Sequence, residues 1–162
     1  LEALISAARQ YCENFLGISL SPKILEIALD EFPTTDDDSI QLPCGPVNAI
    51  VSVTVGDESD SLMDAEEYLL DDFSVPNRLL PATVWPTVTA SVNTIRIIYS
   101  VGYDGPDSSD GPAIPKTILQ AMKLLVADWY KHREDTDTAA EMQIPNGALA
   151  LLRAHRGSMG RA

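Results

Sequence analysis

Apolar residues recur at helical spacing most persistently over residues 112–134, where Ile118, Met122, Leu125 and Trp129 fall at i, i+4, i+7 and i+11. Leu119, Val126 and Tyr130 widen this stripe into a face broad enough for a central core helix. Pro115 suits the first helical position, since its φ is already fixed and its missing N–H would have had no partner there. Lys131, His132 and Arg133 then place cations at the negative end of the helix dipole. A second amphipathic pattern covers residues 1–16, with Leu1, Leu4, Ile5, Ala8, Tyr11, Cys12 and Phe15 on one face and Gly17 placed to cap the end. Trp129 and Tyr130 are expected as core anchors against Leu4, Ala8 and Phe15 of that first helix. Past Pro145, Asn146 can open a short helix in which Leu149 and Leu152 share a face and Arg153 and Arg156 lie near the end. The small residues of 157–162 are not expected to hold structure alone.

Between the first and second helices the period changes to two. Residues 23–32 read as a strand with Leu25, Ile27 and Leu29 on one side, a short helix being the alternative. Strands follow at 40–42, 47–55, 66–73, 78–80 and 93–99, the last with Ile95, Ile97 and Tyr99 alternating against Arg96 and Ile98. Residues 81–86 form a loop anchored by the indole of Trp85. Consecutive strands without helices between them imply a mostly antiparallel sheet, so the fold class is α+β, a helical core with an inserted sheet. One domain over residues 1–162 is expected, made of a helix (1–17), a β-rich insertion (18–101), the central helix (112–134) and a C-terminal segment (145–162).

Charge changes the picture more than composition does. Hydrophobic residues make up 45% and charged residues 22%, which is ordinary for a globular chain, and no apolar run is long enough for a membrane-spanning helix. The net charge of −13 is unevenly spread: residues 1–72 hold 16 acids and 2 bases, and residues 73–162 hold 8 acids and 9 bases. Generic nucleic-acid binding needs clustered Lys and Arg and is disfavoured by this balance. Cys12 and Cys44 match no metal or disulfide framework and are read as reduced, partly buried thiols in a protein made in the cytoplasm. The chain begins at Leu1 already in helical register, so a preceding natural segment is expected, with a cleaved signal peptide as the alternative.

Catalytic chemistry has little to stand on. His132 and His155 are the only histidines, and neither lies in a nucleophile motif; Asp128 can meet His132 one turn away, an arrangement typical of surface pairs. Glu66 and Glu67, or Asp71 and Asp72, are adjacent and would face opposite sides of a strand. Asp36, Asp37 and Asp38 lack the alternate spacing, central Gly and terminal Glu of a calcium loop, so a solvated turn is expected. The loop over residues 102–111 has no Gly-Lys-Ser/Thr for phosphate. No catalytic residue, metal site or cofactor is expected, and the chain is read as a non-enzyme.

The order of these segments resembles a known family. Ala7-Ala8-Arg9 through Tyr11, Glu13 and Gly17; Leu42-Pro43 followed by Pro46-Val47 and Ile50-Val51-Ser52-Val53; and Asn93 through Ile97 to Tyr99 with Val101-Gly102-Tyr103 carry the first part. Ile114-Pro115 with Ile118, Ala121, Leu124-Leu125, Trp129-Tyr130 and Arg133-Glu134, then Ile144-Pro145, Gly147 and Leu151-Leu152, complete it. Nearly the whole chain is thus similar to the head-tail connector, or adaptor, proteins of tailed bacteriophages and gene-transfer agents, in the subgroup with a β insertion between helices. That family usually has a short helical stretch before the first helix, which is absent here.

The resemblance implies a structural virion protein at the neck of the capsid portal vertex. It would form a ring, commonly of twelve subunits, beneath the portal protein, with later neck or tail proteins bound below and DNA passing through without sequence-specific contact. A small acidic monomeric interaction module is the alternative. Within the ring reading, Leu149, Leu151, Leu152, Arg153, Arg156 and Arg161 are the candidate portal contacts, a packed terminal helix with a frayed end being the alternative for this segment. Lys116, Lys123 and Lys131 are the candidate inter-subunit surface toward a neighbour's acidic half. The acidic loops with Asp36, Asp37, Asp38, Asp104, Asp107 and Asp110 are candidate channel linings.

Overall fold

The computed structural model describes residues 1–34, 38–56, 61–89, 91–105, 112–132 and 144–159. They form two compact units, a helical one from residues 1–20 and 103–162 and a β one from residues 21–102. The β-rich stretch inserted between the helices is therefore a unit with its own core.

Three helices build the helical unit: α1 (Glu2–Leu16), α2 (Lys116–Lys131) and α3 (Asn146–Met159). Ala8, Cys12 and Leu16 of α1 pack with Ile118, Ala121 and Leu125 of α2 and with Ala148 and Leu152 of α3. Burial of the Leu and Ile side chains among them is worth about 1.5–3 kcal/mol each, and of the alanines less. The α1 helix stops at Gly17, whose left-handed φ of 70° places its N–H on the Glu13 carbonyl at 2.8 Å. Glu13 is itself buried, and its Oε1 accepts the Leu20 N–H at 2.8 Å, so one residue closes the helix and ties down the following turn.

Several expectations for these helices change. Pro115 has ψ 131° and sits at the N-cap, one residue before the helix, because its φ is helical but its ψ is extended. Leu1 and Ile5, expected on the buried face of α1, are 73% and 47% exposed, since the core begins only at Ala8. Trp129 does anchor α2 to α1, meeting Tyr11 edge-on at 6.4 Å, but Tyr130 is 49% exposed and is no core anchor. The reason is rotational: at 100° per residue the neighbour of a seated side chain points away from the seam. α3 runs on to Met159, well into the segment expected to lack structure.

The β unit holds two sheets, both antiparallel throughout. One has the order β1 (Lys23–Leu29), β7 (Ile95–Val101), β3 (Val47–Val55), β4 (Ser61–Leu62); the other has β2 (Ile40–Leu42), β6 (Asn77–Pro81), β5 (Tyr68–Asp71). Alternation in β7 works as expected: Ile95, Ile97, Tyr99 and Val101 are fully buried, and Arg96 faces out. They meet Val47 and Val53 of β3, Leu42 of β2 and Leu79 of β6 in one core. Tyr99 spends its hydroxyl on the Pro43 carbonyl at 3.2 Å, and burial pushes its pKa up to about 12. The strand expected over 66–73 is shorter, since Glu66 and Glu67 lie in a turn and the chain leaves β5 after Asp71. Asn77 is buried between the sheets' connections: Oδ1 accepts the Val47 N–H at 3.1 Å and Nδ2 donates to the Asp72 carbonyl at 2.9 Å.

Candidate assembly surfaces

Seven-residue spacing puts Lys116 and Lys123 on one line of α2, and Lys131 lies one element of arc further round. All three are exposed, and so are Gln120, Ala127 and Tyr130 between them. The result is a solvent-facing stripe with three cations and no carboxylate. By contrast, the β unit as a whole carries 14 acids against 3 bases, −11, and the helical unit 10 against 8, −2. The polarity read along the sequence is thus a polarity between folding units.

The C-terminal candidates divide into core and surface. Leu152 is fully buried and Leu151 packs beside it in the helical core, so these two leucines seat the helix in its own unit. Leu149 is half-buried; Arg153 and Arg156 are exposed. His155, one turn from Leu152, is held below its usual pKa by burial. Arg161 lies outside the described residues.

Of the acidic channel candidates, Asp36, Asp37, Asp107 and Asp110 lie outside the described residues. Asp38 belongs to the β unit, where its carbonyl accepts the Trp85 indole N–H at 2.6 Å. Asp104 belongs to the helical unit, is exposed, and pairs through its backbone N–H with the Pro112 carbonyl at 3.1 Å. Trp85 does anchor its loop, stacked on Phe32 with centroids 4.6 Å apart. Together with Pro33, Pro86, Val84 and Glu31 the two rings line an open groove of about 380 Å³. Its indole donor is already spent on the Asp38 carbonyl.

A feature missed in the sequence is the loop after β5. The Asp71 carboxylate accepts the N–H groups of Phe73 and Ser74 at 3.2 and 3.1 Å, the Ser74 hydroxyl at 2.6 Å and the Arg78 guanidinium at 2.8 Å. These bonds fix a turn whose tip, Phe73, is 88% exposed, beside Val75 at 47%. Exposed apolar side chains grouped on a fixed turn make a surface to which a protein partner can bind. The signal was present as Asp71-x-x-Ser74 followed by Pro76, an Asx-type turn pattern that outweighs the strand propensity of Phe73.

The hydrogen bonds from Ser74 and Arg78 lower the Asp71 pKa from 3.8 to about 2. A carboxylate depressed on folding contributes stability above its unfolded pKa and loses it as pH falls through the folded one. Asp71→Asn should therefore destabilise the protein at neutral pH, and the gap to wild type should close between about pH 4 and pH 2. Urea midpoints of both proteins across that range check it.

Little else is poised for chemistry. His132 Nδ1 lies 3.5 Å from Asp128 Oδ1 with both side chains partly exposed, a helix-end surface pair as expected. Burial pushes the Cys12 thiol up to about 11, far from a reactive thiolate. Cys44 is exposed in its Pro-Cys-Gly-Pro turn, at φ 61°, which corrects the partly buried expectation for it. Among the described residues no group of three or more His, Cys, Asp or Glu could hold a metal ion, and no helix is long and apolar enough to cross a membrane.

No protein-family model and no curated protein matches the chain. Solved structures do. The neck of an empty GTA particle computed with C6 symmetry contains a chain with TM-score 0.72 and 22% identity, covering 94% of this chain and 74% of that one. A chain in the neck of a native GTA particle computed with C12 symmetry gives 0.71 and 20% over 94% and 79%. One in the virion of a native gene transfer agent (GTA) particle gives 0.67 and 22% over 94% and 74%. Three helices with an inserted antiparallel β unit are thus the fold of chains in gene transfer agent particles, shared over nearly the whole length of this one.

Proposed function

We propose that this chain is a structural neck protein of a phage-like particle, forming a ring beneath the portal and joining the capsid to the neck or tail. The observation that carries the reading is the likeness over 94% of the chain to chains in particle necks solved with C6 and C12 symmetry. The connector resemblance in the sequence points the same way. The chain catalyses nothing in this role; it supplies surfaces. Arg153 and Arg156 of α3 present cations to the portal, and Leu149, Leu151 and Leu152 hold the helix that carries them. DNA passes through the ring without sticking, because the surplus of carboxylates repels phosphate. Closure at twelve copies of −13 each requires that neighbours meet through unlike charges or apolar contacts.

Mixing the purified protein with portal assemblies and following sedimentation and negative-stain images tests the reading. Rings bound to portal are the expected result, and Arg153→Glu with Arg156→Glu should lower portal binding at least tenfold, or about 1.4 kcal/mol. Reversal is preferable to truncating α3, because Ala148 and Leu152 belong to the core. A protein that remains monomeric with and without portal is instead an acidic interaction module.

A further inference from the structure

We infer that the α2 stripe is the inter-subunit surface of the ring and that it docks on the acidic turn between β4 and β5 of a neighbouring copy. The inference rests on the ring reading above and names the contact that closes it. Lys116, Gln120, Lys123, Ala127, Tyr130 and Lys131 all fall within about 100° of helical arc, and Lys123 and Lys131 are about 12 Å apart along the axis. The stripe has an apolar middle, Ala127 and Tyr130, between two cations.

The β unit offers the complement. Asp64, Glu66 and Glu67 are all exposed within one turn. That turn is preformed: the Asp64 N–H donates to Glu67 Oε2 at 2.9 Å, and the Glu67 N–H to the Asp64 carbonyl at 3.0 Å. Exposed leucines flank it in the chain, Leu62 at 65% and Leu69 at 58%. Cation, apolar and cation on α2 thus face carboxylates bordered by leucine on the turn. A contact between two different surfaces of identical chains is heterologous and propagates into a ring when its rotation closes. Such a surface also lets a chain of −13 assemble, since each new interface removes unlike charges from the surface and opposes the general repulsion.

Duplex DNA is the other partner that lysines could serve. The observations favour protein: three lysines on one helix make a weak phosphate footprint, and an aromatic and an alanine fill the positions where further cations would sit. The acidic β unit would add repulsion.

The test is a charge swap read by sedimentation velocity, with and without portal as template, and by duplex binding at about 150 mM salt. Lys123→Glu with Lys131→Glu should reduce ring formation at least tenfold while leaving the circular dichroism unchanged and lowering the melting temperature only slightly, since Lys131 sits at the negative end of the α2 dipole. Asp64→Lys with Glu66→Lys should do the same; Glu67 is left alone because it holds the turn. Combining all four substitutions should restore assembly, which no solvated helix face would do. Wild-type rings together with normal rings from either reversed protein overturn this contact and leave the neck reading standing. Loss in both without rescue also overturns the pairing. Tight duplex binding that the lysine reversal abolishes assigns the stripe to DNA and overturns it too. A wild type that never assembles overturns both readings.

Discussion

Gly102→Ala should be the most damaging single substitution in the β unit, costing more than about 4 kcal/mol, in the range reached only by severe structural conflict. Gly102 has φ +107°, where a side chain is strained, and a Cβ there would lie 2.2 Å from the Ser21 carbonyl oxygen and 2.6 Å from its carbon. Those are backbone atoms, so no rotamer change relieves the clash. Nor can the glycine move away. Its N–H donates to the Pro46 carbonyl at 2.9 Å, and its own carbonyl accepts Asn48 Nδ2 at 2.9 Å. The substitution therefore has to break those bonds or displace the lead-in to β1. Gly17→Ala separates crowding from backbone strain. Gly17 is also left-handed, at φ +70°, yet nothing lies within 4 Å of its Cβ position, so about 1–2 kcal/mol is expected. Urea midpoints of the two variants, with soluble yield as a second readout, check the contrast. Equal, small effects would show that the approach of residue 102 to Ser21 is not tight in the folded protein.

Leu152→Ala should cost about 2–5 kcal/mol, the range for removing a fully buried leucine from a core that cannot collapse around the cavity. The side chain is 0% exposed and shares the helical core with Ala8, Cys12, Ile118, Ala121 and Leu125. Arg153→Ala with Arg156→Ala, on the exposed side of the same helix, should change stability by no more than about 0.5 kcal/mol each. Denaturant unfolding of the three proteins reads this directly. The pair of results separates two jobs of α3: one face holds the helical unit together, and the other is free to meet a partner. A loss of portal binding in Leu152→Ala would then report unfolding, whereas the same loss in the arginine variant would report a lost contact.

The Asp71 loop shows why some of the candidate surface was hard to read. Phe73 has high strand propensity, and its neighbours fit an extended pattern as far as Asp71. The turn exists because one carboxylate can gather Phe73, Ser74 and Arg78 at once. Arg78 comes from the opposite strand, so the pattern of the loop alone does not specify the bond. Glu13 is similar. It lies off the apolar stripe of α1 but is buried at 5%, because Leu20 needs an acceptor once the chain turns back at Gly17.

By itself the sequence determined the features that local periodicity and backbone chemistry decide: the span of α1 to within a residue, the place of α2 inside residues 112–134, the Gly17 stop, the alternation of Ile95, Ile97 and Tyr99, and the α+β class. It also showed the lysines of α2 and the acidic excess, since both can be counted. Only the tertiary structure decided which members of each apolar stripe are seated. Ala8 and Leu125 meet partners from other helices, while Ile5 and Tyr130 stay exposed. It likewise divided the charge into a β unit of −11 and a helical unit of −2, and placed Leu152 inside while Arg153 remained outside. The physical reason is the same in each case: periodicity says which residues share a face, but burial depends on what residues distant in the chain bring against that face.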